Sequence, residues 1–328
     1  YGSMYAKGSP FSYLYEVTDA GVGTNFNAVT VSFYLAHYAD AVVTVHQKET
    51  YTVKLNITDE NGKSVDGVTV TLLGRDSKTP ITANEDGTYT LGYGPYTYTL
   101  VKDGYVVTRG SFSLRSADAA NVKDGILTVK TAAMPKAGEN AWDGKTKTEP
   151  KKDANGVYLI GTAAELAWFA ATDGKTSAKL TADIDLAAYD WTPLNKFYGT
   201  FDGDGHMVKN LYINSGSYPL GIFGYVKTGA AVKNLGVSGN VTCTASSNAQ
   251  AGGIAGYLES NAAIENCYSS VNVTSKKHAG GIVGYTAGGA IITNCYGSGN
   301  ITTTSKNECY LGGICGSYFN NTNGATLT

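Results

Sequence analysis

The chain has 328 residues, enough for two or three domains that each bury a core. Its formal net charge is −2, with 25 Lys and Arg against 27 Asp and Glu, which argues against a nucleic-acid groove or a polybasic membrane patch. Only 16% of residues are charged, and 41 Gly and 24 Tyr against 3 Met favour strands and turns over helices. No run of 18 apolar residues offers a spanning helix.

Residues 1–48 contain "AVTVSFYLAHYADAVVTVHQ", in which valines and aromatics alternate with small or polar residues. That pattern predicts two or more strands, the β-rich tail of a preceding domain. The opening "YGSMYAKGSPF" is neither a start nor a leader, and the chain stops partway through a repeat, so it reads as a segment of a longer protein.

Residues 49–131 predict a small β-sandwich. Short strands alternate with turns at Asp59-Glu60-Asn61-Gly62, Glu85-Asp86-Gly87, Gly92 to Pro95 and Asp103-Gly104. Residues 132–155 hold Pro135, Pro150, many lysines and few apolars, and are expected to be a linker. One helix is predicted in "GTAAELAWFAATDGK": Thr162 and Glu165 have capping-box spacing, Leu166, Phe169 and Ala170 share a face, and Gly174 ends it. The final segment, 156–328, returns to strands.

That segment repeats itself. "AGGIAGYLESNAAIENCYSSVNV" (251–273) returns as "AGGIVGYTAGGAIITNCYGSGNI" (279–301), begins again at Leu311, and has a diverged copy at Leu220. Asn210, Asn234, Asn266 and Asn294 recur at 24, 32 and 28 residues; Gly224, Gly256, Gly284 and Gly316 recur at 32, 28 and 32. Periods of this size signal solenoids, propellers or arrays, and two or three short strands per period suit the coils of a right-handed parallel β-helix. Ile254, Ile282 and Ile314 then stack in one inward column, and Val232, Ile264 and Ile292 in another. The glycines are expected at tight corners with positive φ, and the asparagines in left-handed backbone with side chains bonded between coils. The expected fold is therefore all-β: an Ig-like sandwich, then a β-helix with one short N-terminal capping helix.

Few residues suggest chemistry. "DGDGH" (202–206) begins like an EF-hand loop, but position 12 is Ile213 rather than a bidentate Glu, so no metal site is expected. His37, His46, His206 and His278 are scattered, and no H-E-x-x-H occurs. Asp183 and Asp185 share a strand face about 7 Å apart, a spacing that glycosidic cleavage tolerates. The acids within the repeats, Glu259, Glu265 and Glu308, do not recur in register. No catalytic residue and no cofactor is expected. Cys267 and Cys295 occupy equivalent positions and read as apolar filling; Cys309 and Cys315 lie six apart, close enough to pair across a turn. Tyr257, Tyr268, Tyr285 and Tyr296 recur with the repeat. Facing out, they form a ladder suited to sugars or protein; facing in, they pack corners. The sequence leaves both open.

Two resemblances add to this reading. Asp59, Gly62, Val65, Gly67, Val68, Val70, Asp86, Gly87, Tyr89, Leu91, Tyr96 and Tyr98 follow an order that resembles carboxypeptidase-regulatory-like and collagen-adhesin B-type domains. In the latter a Lys and an Asn often form an isopeptide bond. Lys54 stands where that Lys would be, but "GILTVKT" has no Asn, which favours a plain exposed lysine. From Gly156 onward, the repeats and the lead-in "ADIDLAAYDWTPL…FYGTFDGDGHMVKNLYI" resemble the GLUG repeat. That resemblance implies a bacterial cell-surface or secreted protein, an adhesin or stalk that binds host or neighbouring-cell glycan or protein. The alternatives are an accessory region of a secreted peptidase or polysaccharide-degrading enzyme, and a fibre subunit that self-associates through an open β-helix end.

Overall fold

The computed structural model describes residues 4–6, 41–43, 50–75, 77–306, 309–318 and 326–327. Within the first 48 residues, Met4–Ala6 pairs antiparallel with Ala41–Val43; the rest of that stretch, with His37 and His46, lies outside the described residues. The chain divides into two compact units. The first comprises Tyr1–Ile57, Val70–Thr99 and Arg109–Ala132; the second comprises Thr58–Thr69, Leu100–Thr108 and Ala133–Thr328. Two stretches of the 49–131 segment, Thr58–Thr69 and Leu100–Thr108, thus group with the second unit.

The first unit is built on two three-stranded sheets. In one, Thr50–Asn56 runs antiparallel to Tyr89–Gly92 and parallel to Ile126–Lys130. The other has the order Thr69–Gly74, Gly94–Val101, Thr108–Leu114. Alternation decides the buried face: Tyr51 and Val53 flank a half-buried Thr52, Tyr89 and Leu91 flank an exposed Thr90, and Tyr96 and Tyr98 flank an exposed Thr97. The buried tyrosines keep polar partners. Tyr96 Oη donates to the Gly92 carbonyl at 2.7 Å, and Tyr98 Oη accepts from Ala132 N at 2.7 Å. Lys54 is exposed opposite Thr128.

The second unit is a β-solenoid. Leu194–Phe197, Phe223–Val226, Ala255–Leu258, Val283–Thr286 and Cys315–Tyr318 stack in parallel register, marking four coils between 194 and 318. Two further parallel faces follow in each coil. One runs through Thr200–Asp202, Ala231–Lys233, Ala263–Glu265 and Ile291–Thr293; the other through Met207–Ser215, Gly236–Cys243 and Tyr268–Ser275. A fourth, short face begins at Gln250–Gly252 and continues in His278–Gly280 and Tyr310–Gly312.

The core consists of the inward columns. Val232, Ile264 and Ile292 are in direct register, with Phe201 ahead of them, and all are buried. Ile254 and Ile282 are fully buried and linked rung to rung through backbone hydrogen bonds, with Ile314 next in line and partly buried. Phe197, Phe201 and Phe223 pack ring against ring at 5.0 to 6.5 Å. The helix, Ala163–Ala170, has the expected capping box: Thr162 Oγ1 accepts from Glu165 N, and the Glu165 carboxylate accepts from Thr162 N. It buries Leu166, Ala167 and Phe169, and Phe169 lies 6.1 Å from Phe197 and 6.0 Å from Phe201.

Three expectations need correction. The segment expected as a linker is packed from residue 133 onward. Trp142 is buried and sits 5.8 Å from Trp191; its backbone N–H donates to the Asp185 carbonyl, and Lys151–Lys152 adds an antiparallel strand beside Tyr158–Leu159. The large apolar area of one indole outweighs the polar composition around it. Second, Asn234, Asn266 and Asn294 form one ladder, all at φ between 51° and 54°, but Asn210 belongs to another. Register pairs Val208 with Val237, not with Val232, and Asn210 donates instead to Asp185 at 2.8 Å. One rung before Asn234, Asp202, which lies in register with Lys233, accepts from the Asn234 amide at 2.9 Å. Third, Gly224, Gly256, Gly284 and Gly316 lie inside strands without positive φ. A Cβ on Gly256 would stand 2.4 Å from Leu220 N, and one on Gly284 would stand 2.5 Å from Ala251 N. These glycines permit close backbone approach, while the asparagines supply the left-handed turns.

Candidate functional site

Parallel, in-register stacking turns any outward residue that recurs into a column along the rod. The recurring tyrosines form two such columns on different faces. Tyr225, Tyr257 and Tyr285 occupy successive rungs, half-buried, with ring centroids 5.4 and 5.1 Å apart. Tyr268 and Tyr296 pair on another face and are 38% and 63% exposed. The Tyr268 ring lies over Gly236, and its hydroxyl contacts Met207 Sδ. Facing out and packing are therefore combined: Tyr257 and Tyr285 lean on each other, and Tyr296 stands clear.

The first column borders a groove of about 530 Å³. Its other wall is the short fourth face, where Gln250, His278 and Tyr310 lie in register. The His278 imidazole stacks on the Tyr310 ring, 5.2 Å between centroids and 8° from parallel, and meets Tyr285 edge-on at 5.1 Å. A 2.7 Å hydrogen bond joins its Nδ1 to Ser317 Oγ. Burial, with a smaller contribution from neighbouring Lys277, pushes the His278 pKa down to about 4, so the ring is neutral at physiological pH. Lys277, Asn248 and Tyr318 complete the rim. The groove thus offers aromatic rings, two amides, the Ser317 and tyrosine hydroxyls and one ammonium group. His278, Tyr310, Gln250 and Tyr225 were not singled out by the sequence as site residues. Their signal was the repeat offset itself, since His278 and Tyr310 stand one residue before Ala279 and Leu311.

The acids tested for catalysis are occupied structurally. Asp183 accepts from Lys209 Nζ at 2.7 Å and from Met207 N at 3.0 Å, and chiefly the Lys209 bond lowers its pKa. Asp185 accepts from Gly138 N, Ala187 N and the Asn210 amide. In "DGDGH", Asp202 accepts from Asn234 and pairs with Lys233, Asp204 pairs with Lys179, and His206 lies 3.4 Å from Asp183. All five cysteines are free thiols. Cys267 is buried, its thiol donates to the Val232 and Glu265 carbonyls, and the neighbouring Cys295 thiol together with burial raises its pKa. Among the described residues no group of three or more His, Cys, Asp or Glu is placed to hold a metal, and no helix is long and apolar enough to cross a membrane.

Stacked parallel rungs, an apolar interior and cross-rung amide ladders define a β-solenoid repeat protein. Comparison with known families adds one match: the GLUG motif, over residues 247–274. That span holds the strands Gln250–Gly252, Ala255–Leu258 and Ala263–Glu265 and most of Tyr268–Ser275, close to one full coil with Gln250 and Tyr257 on the groove. No curated protein and no solved structure matches the chain.

Proposed function

We propose that this chain is a non-catalytic segment of a bacterial cell-surface or secreted protein, a rod that carries a binding face for a glycan or protein. The observation that carries the reading is the groove where the Tyr257–Tyr285 column meets the His278–Tyr310 stack. Partly exposed tyrosine rings beside amides and hydroxyls are the chemistry of an adhesive contact. The GLUG motif supports an extracellular setting, because such repeats are typical of extracellular proteins. The first unit serves as an Ig-like spacer; its two three-stranded sheets and the parallel pairing of Thr50–Asn56 with Ile126–Lys130 favour that assignment. The helix Ala163–Ala170 caps the solenoid by placing Phe169 against the first phenylalanines of the core.

Binding of the labelled chain to arrayed glycans and to immobilised extracellular-matrix proteins tests the reading. The expected result is retention on a chemically related subset, lost on Tyr310→Ala. Uniform absence of retention on both panels contradicts it.

A further inference from the structure

We propose that the groove beside His278 is a subsite for a sugar unit bearing a carboxylate. The inference rests on the adhesive reading above and narrows it to one ligand chemistry. At about 530 Å³ the groove falls within the roughly 300–1,000 Å³ typical of small-ligand sites. Its rings present two kinds of surface. Tyr310, 37% exposed, lies parallel to His278, and Tyr257 and Tyr285 line the groove beside them, so aromatic surface is there for a pyranose ring to pack against. Around them stand Gln250, Asn248 and Ser317, which both donate and accept, as hydroxyl groups on adjacent ring carbons require.

Charge narrows the choice further. Lys277 is the one cation among the described residues that line the groove, and no carboxylate lines it among them. With His278 neutral, Lys277 is the only charged group among the described lining residues. A carboxylated sugar satisfies the ammonium and the rings together. Among the described lining residues no carboxylate balances the ammonium when the sugar is neutral, and an amino sugar is repelled by it.

Titration calorimetry on the whole chain provides the test, with oligogalacturonate, its methyl ester and polyglutamate as probes. The acid oligomer is expected to bind at least tenfold more tightly than the ester and to weaken as salt is raised. Lys277→Gln is expected to erase that difference while sparing ester binding, and Tyr310→Ala to abolish both. Equal affinity for acid and ester, or an unchanged preference in Lys277→Gln, overturns the proposal. So does binding of polyglutamate alone, which makes the occupant an acidic peptide. If the acid oligomer binds both groove variants as well as the parent but fails on Tyr296→Ala, the subsite is wrong and the adhesive reading stands on the other face. If no probe binds and the arrays above are also blank, both fall.

Discussion

Asn266 shows how one residue type meets two demands. Its backbone sits at φ 51°, where an L-residue with a Cβ is disfavoured and Asn is tolerated, and its side chain donates to Asn234 while accepting from Asn294. Replacing it with Ala removes both bonds and keeps the strain, for a loss of roughly 2–3 kcal/mol. Asn266→Gly keeps the turn and loses only the ladder, for about 1 kcal/mol. Urea unfolding of the two variants checks the order. His278 carries a pH signature. Its pKa falls from 6.5 to about 4 on folding, so the unfolded chain binds the extra proton between those values. Stability is complete above 6.5 and declines as pH falls toward 4, by roughly 3 kcal/mol in all. His278→Gln should flatten that slope in thermal melts taken across the window. The inward isoleucines were legible in the sequence because near-identical coils put the same residue in the same place. Asn210 was misread because "VKNL" occurs at both 208 and 232, and likeness of letters is not hydrogen-bond register.

Close approach and apolar cover govern the elements. Gly284 lies in Val283–Thr286 against the backbone of Ala251, so Gly284→Ala must push two strands apart, at a cost of about 1–3 kcal/mol. The same change at Gly229, a turn glycine with open space around it and φ 79°, costs only the local backbone preference. Denaturant midpoints separate the two; equal losses contradict the assigned roles. Phe169→Ala should remove about 3–5 kcal/mol, since its ring is 1% exposed among phenylalanines. The helix was readable from Thr162 and Glu165 because capping is a local rule. The packed course of residues 133–153 was not, because it depends on where Trp142 and Asp185 meet, 43 positions apart in the sequence.

At the scale of the whole molecule, solenoid stacking converts a sequence period into straight columns, and function depends on which columns share a corner. Periodicity announced Tyr257 and Tyr285 but could not say that they share a groove with His278 and Tyr310, nor that Tyr268 and Tyr296 stand on another face. That requires the coil cross-section, and coil length alone, at 28 or 32 residues, does not encode where the corners fall. The ion pairs record the stacking directly. Lys227 meets Glu259, Lys233 meets Asp202, Lys179 meets Asp204 and Lys209 meets Asp183, each pair joining one rung to the next. Carbodiimide forms zero-length amide links only between such contacting pairs, so cross-linking the native chain and mapping the joined peptides by mass spectrometry tests the register most directly. The stacked solenoid predicts these four links. Their absence, with links instead between lysines and acids two or more coils apart, would contradict it.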